Sequence, residues 1–222
     1  MQNFDQLFER SHAFAEYLTA ALDSARERAT GARPESAAAA AALSFEHAHA
    51  LRLLLEAGTP NSASVLLRIQ YEALLRAAWL MYAASEQQFE KLSAPLSEPS
   101  GAAAKNVRGA DDMLKELERL LVEIPSLRGL VLPLREIRDF SWTAMNSFVH
   151  GGLHPLERTR AGFPLELAAD ILRNSNGMLH MTARLLARLT PSVELVDRVE
   201  VAYREFTDCL PVINSPESAP VV

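Results

Sequence analysis

The stretch NSASVLLRIQYEALLRAAWLMYAAS, residues 61–85, decides the class of fold. Apolar residues cover most of the circumference that this stretch would have as an α-helix, and such a helix is typical of the centre of a bundle. The stretch is long enough to span a bilayer, but it carries Arg68, Glu72 and Arg76, and charges near a membrane midplane are expensive. We therefore predict a buried central helix and no contact with a membrane.

Helical periodicity also marks the segments on either side of this stretch. No sustained period-two alternation competes with it, so no strand is predicted. Gly and Pro residues separate the helical segments, and Asn61 and Ser62 are expected to cap the central one. The predicted helices span about 4–29, 35–57, 61–85, 111–124, 134–150, 164–189 and 193–210. They predict an all-α fold, a single bundle of about six to eight helices.

The length of the chain fits one domain with a core of its own, so residues 1–210 are predicted to form a single all-helical domain. Helix breakers between residues 92 and 109 predict a mobile loop that holds at most a short helical piece. Three prolines at the end of the chain predict a disordered tail over residues 211–222.

The composition is that of an ordinary cytoplasmic protein. The chain of 222 residues has a net charge of −6, so it has no overall attraction for DNA or RNA, and any such contact needs a local basic patch. Its single cysteine, Cys209, cannot form an intramolecular disulfide, which agrees with a reducing compartment. The first residues lack the features of a secretory signal. We expect a cytoplasmic protein without a DNA-binding signal.

Three charged residues of the central stretch form a polar stripe. Arg68, Glu72 and Arg76 follow at i, i+4 and i+8, which places them within about 80° of arc on a helix. Apolar neighbours flank the stripe, so the charges are expected to be half buried and to need partners. The stripe is either an ion-pair network that sets helix register or the anion-binding wall of a pocket between helices.

A second group of polar residues lies at the end of the predicted helix 134–150. Asp139, Asn146 and His150 share an arc beside an apolar stripe, and Asn146 is placed to orient His150 one turn away. Imidazole titrates near neutral pH, which suits general acid–base catalysis, but a histidine at a helix C-terminus also stabilises that terminus. The candidate catalytic residues are His150, Asn146 and Arg68, and the candidate residues for a substrate or anion are Arg68, Glu72, Arg76 and Asp139.

The sequence has no recognisable metal or cofactor motif. His150 and His154 have the i, i+4 spacing of helical zinc ligands, but two intervening glycines and Pro155 disfavour a continuous helix there. A phosphate-cradling glycine loop, a Gly-x-Ser-x-Gly elbow and a Cys-x-x-Cys pair are all missing from the sequence. We therefore expect neither a metal site nor a cofactor.

The pattern Leu67-Arg68-x-x-Tyr71-Glu72-x6-Trp79, followed by Asn146-Ser-Phe-Val-His150-Gly-Gly, resembles a group of uncharacterised bacterial all-helical proteins. That group is similar in turn to the HEPN superfamily, over about residues 40–190. HEPN proteins are helical and often homodimeric, and they include metal-independent ribonucleases of toxin–antitoxin and phage-defence systems. The resemblance implies a HEPN-like bundle in which His150 matches the motif histidine, while Asn146 stands where that motif has an arginine.

Three classes of function remain open. A metal-independent ribonuclease or defence toxin would act on RNA, with Arg68, Arg76 and His150 converging in one cleft. A binding or regulatory bundle would hold a small anion against the stripe. An interaction module without catalysis would act as a homodimer through a large apolar surface. The distance between the two guanidinium groups and the His150 ring distinguishes a site from scaffolding.

Overall fold

The computed structural model of the chain describes residues 4–25 and 29–211. All regular elements in these two ranges are helical, so the predicted all-α fold class is confirmed. The described α-helices are α1 (Phe4–Asp23), α2 (Ala32–Glu56), α3 (Pro60–Tyr82), α4 (Glu86–Ser93), α5 (Glu98–Ala104), α6 (Ala110–Arg119), α7 (Arg128–Val149), α8 (Leu153–Ala161), α9 (Leu165–Leu189) and α10 (Val193–Glu205). Short 3₁₀ turns occupy Pro125–Leu127 and Thr207–Cys209. Within the described ranges, no helix combines the length and the apolar character needed to cross a membrane.

The described residues form more helices than the sequence predicts, because prolines fall in the first turns of short helices. Proline is tolerated there, since the first N–H groups of a helix have no partner inside it. Pro99 is the second residue of α5, which lies within the predicted loop 92–109 and begins with a capping box formed by Ser97 and Ser100. Pro155 lies in the first turn of α8, which follows α7 almost at once. Proline therefore accompanies helix starts at places where it was expected to mark helix ends.

The central helix α3 begins earlier than predicted. Its N-cap is Thr59 and its first residue is Pro60, so the prediction that Asn61 and Ser62 cap the helix is wrong. Asn61 lies in the first turn instead, and its Nδ2 donates a hydrogen bond to the hydroxyl of Thr159 on α8 at 3.2 Å. This contact ties α8 to the beginning of α3.

Other boundaries also differ from the prediction, and α6 and α10 end about five residues early, at Arg119 and Glu205. Helix α1 ends at Asp23, although its apolar periodicity predicted a longer helix. Helix α7 begins at Arg128 and runs through Pro133, which was expected to precede it. The 3₁₀ turn before α7 leads directly into its first residues, so the helix starts upstream of the proline. Beyond Pro211, the predicted disordered tail 211–222 lies outside the described residues.

Helix α3 lies in the core, as its apolar circumference predicts. It contacts α2, α6, α7 and α9, which pack around it. The side chains of Tyr71, Leu74, Leu75 and Trp79 are completely buried. The indole N–H of Trp79 still has a partner, because it donates to Oε2 of Glu116 on α6 at 2.6 Å. Polar atoms that α3 brings into the core are thus matched by neighbouring helices.

Buried polar side chains of α9 fix its position against α2 and α3. Ser175 exchanges two hydrogen bonds with Gln70: its hydroxyl donates to Oε1 at 2.7 Å, and Gln70 Nε2 donates to the Ser175 carbonyl at 2.9 Å. The hydroxyls of Thr182 and Ser44 lie 3.0 Å apart. Because a buried polar group without a partner costs free energy, these pairs favour one register of the three helices.

Arg52 of α2 is buried, and no described residue forms an ion pair with it. Only 5% of the residue is exposed. Its Nε and Nη1 have no hydrogen-bond partner in the described part of the chain. Burial lowers the pKa of this guanidinium to about 10. An uncompensated charge in this position opposes folding.

Candidate functional site

The polar stripe of α3 faces the C-terminal half of α7. Arg68 contacts Asn146 and Trp142, whereas Tyr71, one turn further along α3, donates from its hydroxyl to the carbonyl of Leu134 at 3.1 Å. Tyr71 follows Arg68 on α3, but its partner Leu134 precedes Trp142 and Asn146 on α7. The two helices therefore run antiparallel. This packing brings Arg68 of the first group of polar residues into contact with Asn146 of the second.

Trp142 contacts two arginine side chains. The guanidinium carbon of Arg68 is 3.4 Å from the centroid of the Trp142 ring, and that of Arg138 is 3.8 Å from it. Both guanidinium groups therefore lie against the indole within van der Waals distance. Stacking on an aromatic face attracts each cation and orients its plane.

Arg68 uses three of its N–H groups within the chain. Its Nε and Nη2 donate to Oε1 of Glu72 at 3.0 and 2.5 Å, and its Nη1 donates to Oδ1 of Asn146. A guanidinium has five N–H donors, so two of them have no acceptor among the described residues. The side chain is only 14% exposed. We call Arg68, Glu72, Arg138, Trp142 and Asn146 the α3–α7 cluster.

Arg138 is held by weaker polar contacts than Arg68. Its Nη2 is 3.5 Å from Oδ1 of Asp111 on α6, and its buried Nε has no partner in the residues that the structure describes. Asp111 also binds Lys115, at 2.7 Å, and this hydrogen bond lowers the pKa of the carboxyl. Arg138 therefore shares the carboxylate of Asp111 with Lys115, and its Nε–H has no acceptor among the described residues.

Asp139, a predicted anion-binding residue, lies beside Arg135. Its carboxylate is 3.7 Å from the Arg135 guanidinium and its side chain is 58% exposed. Arg135 binds more closely to Glu118 on α6, donating to both carboxylate oxygens at 2.6 Å. The hydrogen bond with Glu118 raises the pKa of Arg135 above its ordinary value. Asp139 thus acts as a counter-charge at the edge of the cluster.

Arg76 is the residue of the stripe that has no counter-charge among the described residues. Glu72 binds Arg68, and no ion pair or hydrogen bond joins Arg76 to any described residue. The side chain is half buried on α3, one turn beyond Glu72. Arg68 and Glu72 thus form an ion pair, whereas the N–H donors of Arg76 are open to another acceptor.

His150 is the C-cap of α7, and its ring is exposed. Its backbone N–H donates to the carbonyl of Asn146 at 3.1 Å, and Gly151 takes the left-handed conformation with φ 63° that ends the helix. The Asn146 side chain is bound to Arg68 and does not orient the His150 ring. The structure joins Arg68, Glu72 and Asn146 in one network and leaves His150 one helical turn from it.

Sequence reasoning did not select Arg138 and Trp142. On α7, residues Arg138, Trp142 and Asn146 recur every four positions, and His150 is the next step of the same series. This spacing is the same as that of the stripe on α3, so it could have indicated a facing polar stripe. The antiparallel packing of α3 on α7, which brings the two stripes into contact, does not follow from either spacing.

Comparison with known proteins gives one match. A family profile matches residues 41–212, and the family is described as one of unknown function, DUF6988. The matched residues make up well over half of the chain. The chain belongs to this family. The DUF6988 match contains the α3–α7 cluster and His150, whereas α1 precedes it. No curated protein and no solved structure matches the chain.

Membership of DUF6988 confirms the predicted likeness to an uncharacterised family. The family description does not extend to an activity, a ligand or a partner. The similarity to the HEPN superfamily and the homodimer that it implies therefore stay predictions.

Proposed function

We propose that this protein is a ligand-binding helical bundle that recognises an oxyanion, a phosphate or carboxylate, in the groove between α3 and α7. The observation that carries the proposal is the stacking of Arg68 and Arg138 on the Trp142 ring, with N–H donors on both that have no acceptor among the described residues. An oxyanion would supply the acceptors that these donors lack. Hydrogen bonds from a guanidinium to a charged oxygen are among the stronger ones in proteins.

The stacking also prepares the site for binding. Trp142, Glu72 and Asn146 already hold the plane of the Arg68 guanidinium, so little side-chain entropy remains to be lost when a ligand binds. Arg76 lies two turns from Arg68 on the same helix and adds a positive charge that has no partner among the described residues. Glu72 limits the affinity, because it already neutralises part of the charge of Arg68.

The replacement Arg138→Gln is expected to weaken oxyanion binding about tenfold, because it removes one of the two guanidinium groups that lie against Trp142 and offer donors. Isothermal titration calorimetry with inorganic phosphate, adenosine monophosphate and succinate measures the effect and separates phosphates from carboxylates. The matched control is Arg204→Gln, which changes an exposed arginine of α10 and is expected to leave binding unaltered. The proposal is wrong if none of the three anions binds, or if both variants bind as the parent does.

A second candidate function is metal-independent cleavage of RNA. The hydrogen bond between Arg68 and Asn146 favours it, because it holds a guanidinium one helical turn from His150. In such a reaction the ribose 2′-oxygen attacks the adjacent phosphorus and the bond to the 5′-oxygen breaks. His150 would accept the 2′-hydroxyl proton or give a proton to the leaving 5′-oxygen, and Arg68 would stabilise the phosphorane. The net charge of −6 opposes a polyanionic substrate unless a homodimer forms a local basic groove.

The replacement His150→Ala is expected to abolish RNA cleavage and any cell toxicity without affecting the fold, since the ring is exposed. The control is His49→Ala, at an exposed histidine of α2. Cleavage of a fluorescent RNA oligonucleotide in the presence of a chelator gives the rate for each variant. Equal rates for His150→Ala and the parent would exclude this candidate and leave the oxyanion proposal untouched.

A further inference from the structure

A cleft of about 660 Å³ opens between α7, α9 and α10, away from the α3–α7 cluster. On α7 it is lined by Ile137, Phe140 and Ser141, and the angular positions of these residues put them on the face opposite Trp142. The volume lies within the range of about 300–1,000 Å³ that is typical of small-molecule sites. The cleft is therefore large enough for a ligand of its own and does not share a wall residue with the arginine cluster.

Apolar and aromatic side chains form most of the cleft. Ile137 and Phe140 line it on the α7 side, Met181 on the α9 side and Tyr203 on the α10 side. Phe140 is 84% exposed at this position. A large aromatic side chain left open to solvent beside an apolar cleft is what a bound apolar molecule would cover. The lining favours an apolar or aromatic ligand.

His180 provides one directed polar group in this lining. The residue is 5% exposed, and its Nε2 is 3.1 Å from the carbonyl oxygen of Val199. A carbonyl only accepts, so Nε2 carries the proton and Nδ1 presents a lone pair. Burial lowers the pKa of His180, which keeps the ring neutral at pH 7. No hydrogen bond in the described part of the chain uses Nδ1, so the ring can accept one from a ligand.

The charged groups around the cleft do not favour an anion. Arg184 is bound to Glu200 at 2.8 Å, and this pair is neutral as a whole. Glu136 lines the cleft as well, is exposed, and has no ion pair with another described residue. The local charge is thus slightly negative, in contrast to the groove that contains Arg68 and Arg138. A ligand with a hydrogen-bond donor matches these groups and one with a carboxylate or phosphate does not.

We propose that this cleft is a second binding site, for a small aromatic molecule that donates an N–H or O–H hydrogen bond to Nδ1 of His180. The aromatic body packs between Phe140, Met181 and Tyr203, and the donor reaches the imidazole at the inner wall. The ligand class and the lining residues both differ from those of the oxyanion groove. This inference therefore stands independently of the proposed oxyanion function.

Indole and benzofuran test this proposal, because they have nearly the same shape but only indole has an N–H donor. Calorimetric titration of the full chain is expected to show indole binding, and benzofuran binding at least about tenfold more weakly, since its oxygen faces an acceptor. Equal affinity for the two compounds, or no binding of indole up to its solubility limit, overturns the proposal.

Two variants locate the binding in the cleft. Phe140→Ala removes an exposed wall residue, so it is expected to leave the fold intact and to weaken indole binding about tenfold. Leu153→Ala removes a similarly exposed apolar side chain on α8, outside the cleft, and is expected to leave the affinity unchanged. If Phe140→Ala binds indole as tightly as the parent does, indole binds elsewhere and the assignment of the cleft is wrong.

Discussion

Replacing Arg52 with methionine is expected to raise the free energy of unfolding by about 1–3 kcal/mol at pH 7. The guanidinium is almost completely buried on α2, and its Nε and Nη1 have no partner in the described residues. Methionine has a similar length and fills the same space with apolar atoms, so the packing is retained while the uncompensated charge is removed. This is the largest stabilisation that we expect from a single substitution.

The gain from Arg52→Met is expected to be the same at pH 5, 7 and 9. Burial lowers the pKa of Arg52 in the folded chain to about 10, so the unfolded chain binds this proton at higher pH than the folded chain does. The stability of the parent protein therefore falls as the pH decreases toward 10. Below that pH, Arg52 is charged in both the folded and the unfolded chain, so the cost of burying its charge is constant. Urea denaturation followed by circular dichroism at the three pH values measures the gain in the free energy of unfolding.

Arg204→Met is the control for this prediction, because Arg204 is exposed on α10 and its replacement is expected to change stability by less than about 0.5 kcal/mol. A loss of stability in Arg52→Met would contradict the prediction. It would mean that a group outside the described residues compensates the charge of Arg52.

Replacing Trp142 with leucine is expected to lower the free energy of unfolding by about 2–4 kcal/mol. The substitution removes the stacking surface for Arg68 and Arg138 and the edge contact with Tyr71, whose ring centroid is 5.9 Å away. Each arginine is then half buried against an aliphatic side chain that offers no attraction for its charge. Trp142→Phe keeps an aromatic face, so a smaller loss is expected for it.

A double-mutant cycle with Trp142→Leu and Arg68→Gln isolates the stacking energy. The two losses are expected to be non-additive by about 1 kcal/mol, because the residues are in direct contact. Urea denaturation of the parent, the two single variants and the double variant measures this coupling. Strict additivity would show that the Arg68–Trp142 contact does not contribute to stability.

The sequence predicts those features that depend on local spacing. The apolar circumference of residues 61–85 predicts a buried helix, and the structure has α3 in the core. The i, i+4 spacing of Arg68 and Glu72 predicts an ion pair, which the structure contains at 2.5 Å. Both features involve residues on one helix, where the geometry is known in advance.

Features that require two helices to meet were not predictable in the same way. Asn146 is one turn from His150, but its side chain binds Arg68, because a guanidinium from the facing helix offers a charge-assisted hydrogen bond. His180 lies on the buried face of α9, and the sequence does not indicate that a cleft adjoins it. The starts of α5 and α8 at proline-rich segments show that the same residue type ends or begins a helix according to its position.

Helix α7 forms one wall of the arginine groove with Trp142 and one wall of the cleft with Phe140. A helix moves as a stiff rod, so a ligand that displaces α7 on one side also moves the wall on the other. Thermodynamic linkage then requires two equal effects: the factor by which a bound oxyanion changes the affinity for an aromatic ligand equals the factor by which the aromatic ligand changes the affinity for the oxyanion. A ligand bound on one side of α7 would in that way change the affinity of the site on the other side.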